Sequence, residues 1–369
     1  MNKAIQAVGD IAWREKATWL AFLMAVASEL ILQSPNIGRV GSYGPLTWVM
    51  LVVLFGVMLW AATSVVHHAE VLAHRLGEPA GTLVLTLSAS GVEVLMMTTI
   101  ALTGNPDPQI VKDTIYSTIM ILLSGLTGVA LLLGGLAHGE QQFNRKASKS
   151  YQSVLLGMVG VSLLLPTLAG EAVMDKIHWF IVPAFLVLYA VFLKLQIGRH
   201  SLFFREPAMS EHAKPASAHG TAYHAIMLLV TIASVVIVSE FFAVGLDEVT
   251  EQHNLPIALK GLVVALVIVG PEGLTAIRAA RHNELQRSIN ILLGSALTTI
   301  ALAIPAMLLV GQWKKINFSF VLEPLQAMLL LITLGVMHIT ESEGNTNTLD
   351  GVLQLMLFAV FVFFTLTGR

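Results

Sequence analysis

Eleven times this sequence runs for about 20 residues with few or no charges, the length a helix needs to cross the hydrocarbon core of a bilayer. The runs lie near 17–32, 46–66, 80–103, 110–136, 151–169, 178–197, 223–243, 257–278, 288–311, 318–338 and 349–366. Lipid offers the backbone no hydrogen-bonding partner, so a spanning segment is a helix or part of a closed barrel. The alternating pattern of barrel strands is absent. The expected fold is therefore an all-α polytopic membrane protein, with the lipid bilayer as its surroundings. Only 12% of the residues are charged, about half the share of an ordinary soluble protein.

Other classes fall away quickly. A net charge of −2 carries no bias toward nucleic acid. The absence of cysteine excludes disulfides, thiolate catalysis and cysteine metal sites. The opening MNKAIQAVGDIAWREK lacks the basic start and small-residue exit of a cleaved signal, so the first run is expected to stay in the protein.

Lys and Arg accumulate on the cytoplasmic side of membrane proteins. With the N-terminus inside, eleven spans put fourteen basic residues on the inner side and seven on the outer. Two loops dissent: Lys314 and Lys315 fall outside, and the acidic 341–350 segment inside. The expected orientation is N-terminus cytoplasmic and C-terminus outside.

The longest polar break, 198–222, is expected to be a cytoplasmic loop dividing the chain. Setting aside residues 1–45 with the leading span, 46–197 and 223–369 each keep five spans. An offset of 179 residues aligns Glu93 with Glu272, Gly91 with Gly270, Leu83 with Leu262 and His74 with His253. Both glutamates lie mid-span in the second helix of their five. The following spans share LLSGLTG (122–128) and LLGSALTT (292–299). Five is odd, so the second repeat enters the membrane from the opposite side. Inverted-topology repeats mark secondary transporters, whose substrate binds near the midplane at interrupted helices.

Helical spacing shows which groups can share a site. Thr82, Thr86, Ser90, Glu93 and Met97 fall on one side of their helix, a hydroxyl stripe ending at a carboxylate. The matching face of the eighth span, Gly261, Ala265, Val269, Glu272 and Ala276, is mostly small, as close helix packing requires. Ser117, Ser124, Gly128 and Gly135 line one side of the fourth span; Asn290, Gly294 and Thr298 line the ninth, with Ser295 slightly round it. An ionised carboxylate at mid-membrane costs about 2.5–3.5 kcal/mol on insertion scales, so a pair of them points to function. Desolvation and mutual repulsion favour protonation, and a bound cation reverses that balance. Oxygen-only ligands suit hard ions such as Ca²⁺, Na⁺ or K⁺. The candidate cation ligands are Glu93, Glu272, Ser90, Ser124, Ser295 and Gly270. Gly270-Pro271 is expected to interrupt regular helical bonding. The freed carbonyls then supply ligands, or the kink relieves packing.

Weaker candidates surround this set. Glu70 and His74, with His67 and His68, form a polar cluster at the inner end of span two. A solvated helix face explains it; an inner vestibule or pH sensor is the second reading. Asp247 and Glu248, with Glu251, are expected in an outer loop that either concentrates cations or is ordinary, and Glu240 lies near that end. The tract His212, His219 and His224 reads as a solvated loop.

The blocks VVHHAEVLAHRLGEPAGTLVLTLSASGVEV, DTIYSTIMILLSGLTGVALLLGG and GPEGLTAIRAARHNELQRSINILLGSALTTIALAIP resemble the bacterial calcium/proton antiporters of the cation/calcium exchanger superfamily, above all the type also described as a sodium-potassium/proton antiporter. The resemblance covers 46–368. It implies one leading helix, two inverted five-helix repeats and a place in the bacterial inner membrane. The activity it implies is export of cytoplasmic cations against external protons, with Glu93 and Glu272 as the repeat glutamates. The Gly-Ser elements of the family match Ser124, where the pair is not intact, and Gly294-Ser295. Typical calcium/proton exchangers carry Asn three residues before each glutamate; here Ser90 and Val269 stand there. A Gln common after the second Gly-Ser is also missing, which puts strict Ca²⁺ selectivity in question.

The expected partners are protons and small inorganic cations, with no cofactor and no nucleic acid; a homo-oligomer is compatible with the sequence. No H-E-x-x-H or G-x-S-x-G motif supports an intramembrane enzyme. A cation channel is the more distant alternative, distinguished by flux that ignores the proton gradient.

Overall fold

Without water, each backbone N–H and C=O in lipid must be satisfied within its own segment, and the apolar runs accordingly fold as helices. The computed structural model describes residues 15–28, 45–77, 80–103, 108–169, 171–198, 201–204 and 219–368. Its long helices are α1 (15–28), α2 (Pro45–Leu76), α3 (Ala80–Leu102), α4 (Pro108–His138), α5 (Arg145–Ala169), α6 (Glu171–Ile197), α7 (Thr221–Gln252), α8 (Ile257–Arg281), α9 (Leu285–Lys314), α10 (Pro324–Thr340) and α11 (Thr348–Thr367). Among the described residues, eight helices are long and apolar enough to cross a membrane, and Thr86–Leu102 and Pro324–Thr340 are shorter apolar helices.

The helices gather into two compact units, Met1–Pro106 with Ser210–Leu255, and Asp107–Met209 with Pro256–Arg369. Each unit takes helices from both sides of the long polar break.

In the first unit α2 and α7 run antiparallel along their length. Contacts step from Trp48 with His253, through Leu51 with Gly245 and His68 with His224, to Arg75 with Thr221. Three buried hydroxyls tie α1 into the pair: Thr18 Oγ1 lies 2.7 Å from Ser64 Oγ and 2.9 Å from Thr231 Oγ1. The turn from α2 to α3 needs glycine. Gly77 sits at φ +67°, and its carbonyl accepts from Gly81 N at 2.6 Å. A side chain on Gly81 would run into the Ala73 backbone.

The second unit is held by closer contacts. On α4, a Cβ at Gly128 would stand 2.8 Å from Leu355, and one at Gly135 would stand 2.7 Å from the Thr348 nitrogen of α11. On α8, a Cβ at Gly261 would stand 2.7 Å from the Asp113 backbone, and one at Gly273 would meet Leu126 at 2.5 Å. Hence the small faces read from sequence are used for packing, as lipid-embedded helices without a hydrophobic drive between them require. Two-residue strands β1 (Gln141–Gln142) and β2 (Asn345–Thr346) pair antiparallel, Gln141 opposite Thr346. Helix α10 starts with a Glu323/Gln326 capping box and α11 with an Asn347/Asp350 one, each satisfying orphan N–H groups.

Several expected boundaries shift. Helix α7 continues to Gln252, so Asp247, Glu248 and Glu251 lie on a helix and not in a loop. Helix α10 starts at Pro324, after an extended 316–323, and not at 318. The interruption at Gly270-Pro271 does not end the helix: α8 runs from Ile257 to Arg281 with Pro271 inside it. Proline removes one N–H, that owed to the Val267 carbonyl, so the regular bonding is interrupted there. Irregularity lies elsewhere, in π segments at Ile121–Leu126 of α4, Gly160–Leu164 of α5 and Thr299–Ala303 of α9. Glu29, GNPD (104–107), His212 and the rest of 205–218 lie outside the described residues.

Candidate functional site

Within the second unit, the centre of interest is Glu272. It is half-buried in the middle of α8, one residue after Pro271. Ser295 Oγ, from α9, donates to Glu272 Oε2. Among the described residues, this is the one pair of sequence-selected ligands that the unit joins directly. Immediately beside it, Thr275 Oγ1 donates to the Pro271 carbonyl at 2.9 Å. Thr298 and Thr299 turn their hydroxyls back to Gly294 O at 2.7 Å and Ser295 O at 3.0 Å. Gly270 contributes its place in α8 next to the proline; Val269, where the family resemblance expects an amide, is buried.

Ser124 sits inside the π segment of α4, fully buried, its Oγ donating to Met120 O at 2.5 Å. That same segment packs on α8 through Leu126 and Gly273. Single-turn π segments recur at functional positions because they offset the hydrogen-bond ladder. Asn290, expected to line the ninth span, is occupied otherwise: its Nδ2 donates to Phe204 O at 2.7 Å and its Oδ1 accepts from Gln286 at 2.8 Å.

In the first unit, Glu93 and Ser90 are buried on α3, 7% and 4% exposed. The Ser90 hydroxyl donates to Thr86 O at 2.6 Å, and Ser88 repeats this toward Val84 O. Gly91 lies on the opposite side of α3 from this stripe, and a Cβ there would meet no atom within 4 Å. The side chain of Thr82 lies outside the described residues. Glu70 is half-buried on α2, and His74 is exposed at its end. Glu240, Asp247 and Glu248 are half-buried along α7, where Glu248 Oε1 accepts from Gln252 at 3.0 Å.

Three groups of buried polar residues escaped the sequence reading. His224, expected in a solvated loop, is 2% exposed, and its Nδ1 lies 2.9 Å from His68 Nδ1. Asp113 is buried on α4 with Lys112 at 3.5 Å. Glu341, expected in an acidic loop, is buried just past α10 and accepts from Ser148 Oγ and Gln152 Nε2. Burial pushes its carboxyl up to about 7, against the pull of those two donors. His338 Nδ1 lies 2.9 Å from Gln152 Oε1, extending the network to the surface. The histidine spacing could have hinted at the first group, and charge within the apolar run 110–136 at the second; nothing local marks the third.

Known proteins place this arrangement. The profile of the sodium/calcium exchanger protein family matches the chain twice, over residues 46–198 and 223–367. The sodium-potassium/proton antiporter ChaA of Escherichia coli strain K12 is 37% identical over 320 residues, covering 85% of this chain and 87% of its own. A Ca²⁺/H⁺ antiporter of Aphanothece halophytica is 25% identical, covering 68% and 72%. Among solved structures, native YfkE superimposes with a TM-score of 0.75 at 17% identity, covering 96% of this chain and 99% of its own. The H⁺/Ca²⁺ exchanger CAX gives 0.67 at 14% identity, covering 99% and 89%. With the family profile matched on both sides of the polar break, and helices of membrane-crossing length throughout, this chain belongs to the sodium/calcium exchanger protein family.

Proposed function

We propose that this protein is a cation/proton antiporter of the bacterial inner membrane that exports cytoplasmic Ca²⁺, and also Na⁺ and K⁺, in exchange for external protons. The observation that carries this reading is one mid-helix glutamate, Glu93 and Glu272, in each of two stretches that match the same family. The expected architecture, a leading helix and two inverted five-helix repeats, is supported by the two matches. In the cycle, the inward-facing site holds both glutamates deprotonated. They bind the cation together with hydroxyl oxygens from Ser90, Ser124 and Ser295 and a carbonyl near Gly270. Facing outward, higher proton activity protonates the carboxylates and releases the ion. One such ion replaces the protons because each carboxylate can satisfy only one of them at a time, which is the physical basis of exchange.

A second reading, mainly monovalent Na⁺(K⁺)/H⁺ exchange with little Ca²⁺ transport, has its own support. The 37% identical relative is named for sodium, potassium and protons, whereas the relative named for Ca²⁺ is 25% identical. Ser90 and Val269 also stand where typical calcium/proton exchangers carry amides. Proteoliposomes with an imposed pH gradient separate these readings. Added Ca²⁺, Na⁺ or K⁺ should each dissipate the gradient; response to Na⁺ and K⁺ alone selects the second. Gradient-independent flux at channel rates would overturn both.

A further inference from the structure

The residues that bind the exported ion leave one buried, titratable group of the first unit without a role. His68 on α2 and His224 on α7 are 1% and 2% exposed, and their Nδ1 atoms are 2.9 Å apart. The two residues are 156 apart in sequence. Their rings are wedged among others: His67 lies 5.4 Å from His68 and 6.2 Å from His224, centroid to centroid, and Tyr223 lies 6.4 and 5.4 Å from the same two rings. On the deeper side is the hydroxyl layer of Thr18, Ser64 and Thr231. Toward the helix ends, Arg75 Nη2 donates to His219 O at 2.5 Å, and Tyr223 OH donates to Glu15 Oε1 at 2.9 Å.

Two imidazoles in this geometry cannot both carry a proton on Nδ1. In the neutral pair one Nδ1–H donates to the lone pair of the other. A single added proton fits without displacement, because it enters the Nε2 of the donor ring and leaves the bond between the rings in place, now charge-assisted and stronger. A second added proton has only the acceptor Nδ1 left. It would set two N–H groups against each other inside a buried seam, so it must part the rings. The charged and titratable groups on the surrounding elements are mixed: Glu15 and Lys16 on α1; His67, Glu70, His74 and Arg75 on α2; Glu93 on α3; His219 and Tyr223 at the start of α7.

We propose that His68 and His224 form a proton-binding site separate from the two glutamates, which accepts one proton while clasping α2 to α7 and releases the clasp on taking a second. The site rests on reading the chain as a proton-coupled transporter only for its biological use; its chemistry stands without transport. The chain has no cysteine, so Leu76→Cys and Ala222→Cys, both exposed at the same end of the two helices, can carry spin labels on an otherwise unlabelled background. The inter-label distance in reconstituted protein should shift to longer values as pH falls from 8 to 5. That shift should vanish in His68→Gln and in His224→Gln, and persist in His67→Gln. A distance that stays constant from pH 8 to 5 in the labelled parent overturns the proposal, as does an unchanged titration in either glutamine variant. Should a glutamine variant not fold, the parent titration alone decides. The readout needs no ion flux, so loss of the clasp and failure of the antiporter reading are told apart: a protein that titrates without transporting overturns only the latter.

Discussion

Helices α3 and α8 carry repeat-related glutamates but hold them differently. Glu272 on α8 is met by a hydroxyl from the next helix, Ser295, and its helix is locked by glycine contacts at Gly261 and Gly273. On α3, the serines near Glu93 spend their hydroxyls on their own backbone, and Gly91 faces open space. The two carboxylates thus differ in surroundings: Glu272, the more exposed, is met by a hydroxyl from the next helix, while Glu93 is buried on α3. Equivalence in sequence fixes the type of residue; the neighbours decide whether it is pre-organised.

The strongest test of that contrast is removal of each charge. Glu93→Gln and Glu272→Gln should each lower cation-driven proton flux in proteoliposomes by 100-fold or more, on the order of 3 kcal/mol of lost stabilisation. A wild-type rate in either variant would remove that glutamate from the site, and with it the comparison.

Glu341 supplies a baseline, a buried carboxylate outside both helices. Its proton affinity is raised in the folded protein, so the protonated form contributes stability that is fully present below the unfolded value near 4.5 and is lost as pH rises through about 7. Thermal unfolding in detergent should show a decline across this window, up to about 3 kcal/mol, that Glu341→Gln flattens while leaving transport intact. A loss of transport in that variant would show that α3 and α8 do not hold all the functional carboxylates.

The packing half of the contrast is tested by adding a methyl group. Gly261→Ala places a Cβ 2.7 Å from the Asp113 backbone and should cost about 1–3 kcal/mol in unfolding measurements. Gly91→Ala meets nothing within 4 Å and should change stability by less than about 0.5 kcal/mol. Equal penalties would mean that α3 is packed as tightly as α8.

The smallest effect concerns the hydroxyls. Ser295→Ala removes a donor to a carboxylate and should weaken apparent cation affinity about 10-fold, in line with a charge-assisted hydrogen bond of about 1.5–3 kcal/mol. Ser90→Ala should cost only a few-fold, because its hydroxyl is engaged by Thr86 O. If the two alanine variants lose affinity alike, Ser90 must leave Thr86 during the cycle to meet the ion.

Much of the helical layout was legible because a run of about 20 apolar residues has few alternatives in lipid. The ends moved where the helix outlasts its apolar part, as α7 does through Asp247 and Glu248. Hydropathy senses the bilayer, whereas helix termination follows capping and packing. Pro271 interrupts the bonding without ending α8, because losing one N–H is a local cost. The glutamates could be singled out because a charge in an apolar run is conspicuous on its own. The His68–His224 pair and the Glu341 network were not, since they join residues 156 and 189–193 apart whose separate surroundings look ordinary. The π segments likewise leave no composition or spacing by which to recognise them.

The interleaved units also set an order of events during synthesis. Residues up to Pro106 wait for α7, and those from Asp107 to Met209 wait for α8 to α11, before either unit can close. The β1–β2 clasp joins Gln141 to Thr346 only after nearly the whole chain has been made. The early helices therefore enter the membrane without their partners from beyond the polar break, a period in which His68 has no His224 to meet. A nascent chain arrested after Phe204 should thus be inserted but protease-sensitive, and should gain its protection only once the second half follows it into the bilayer.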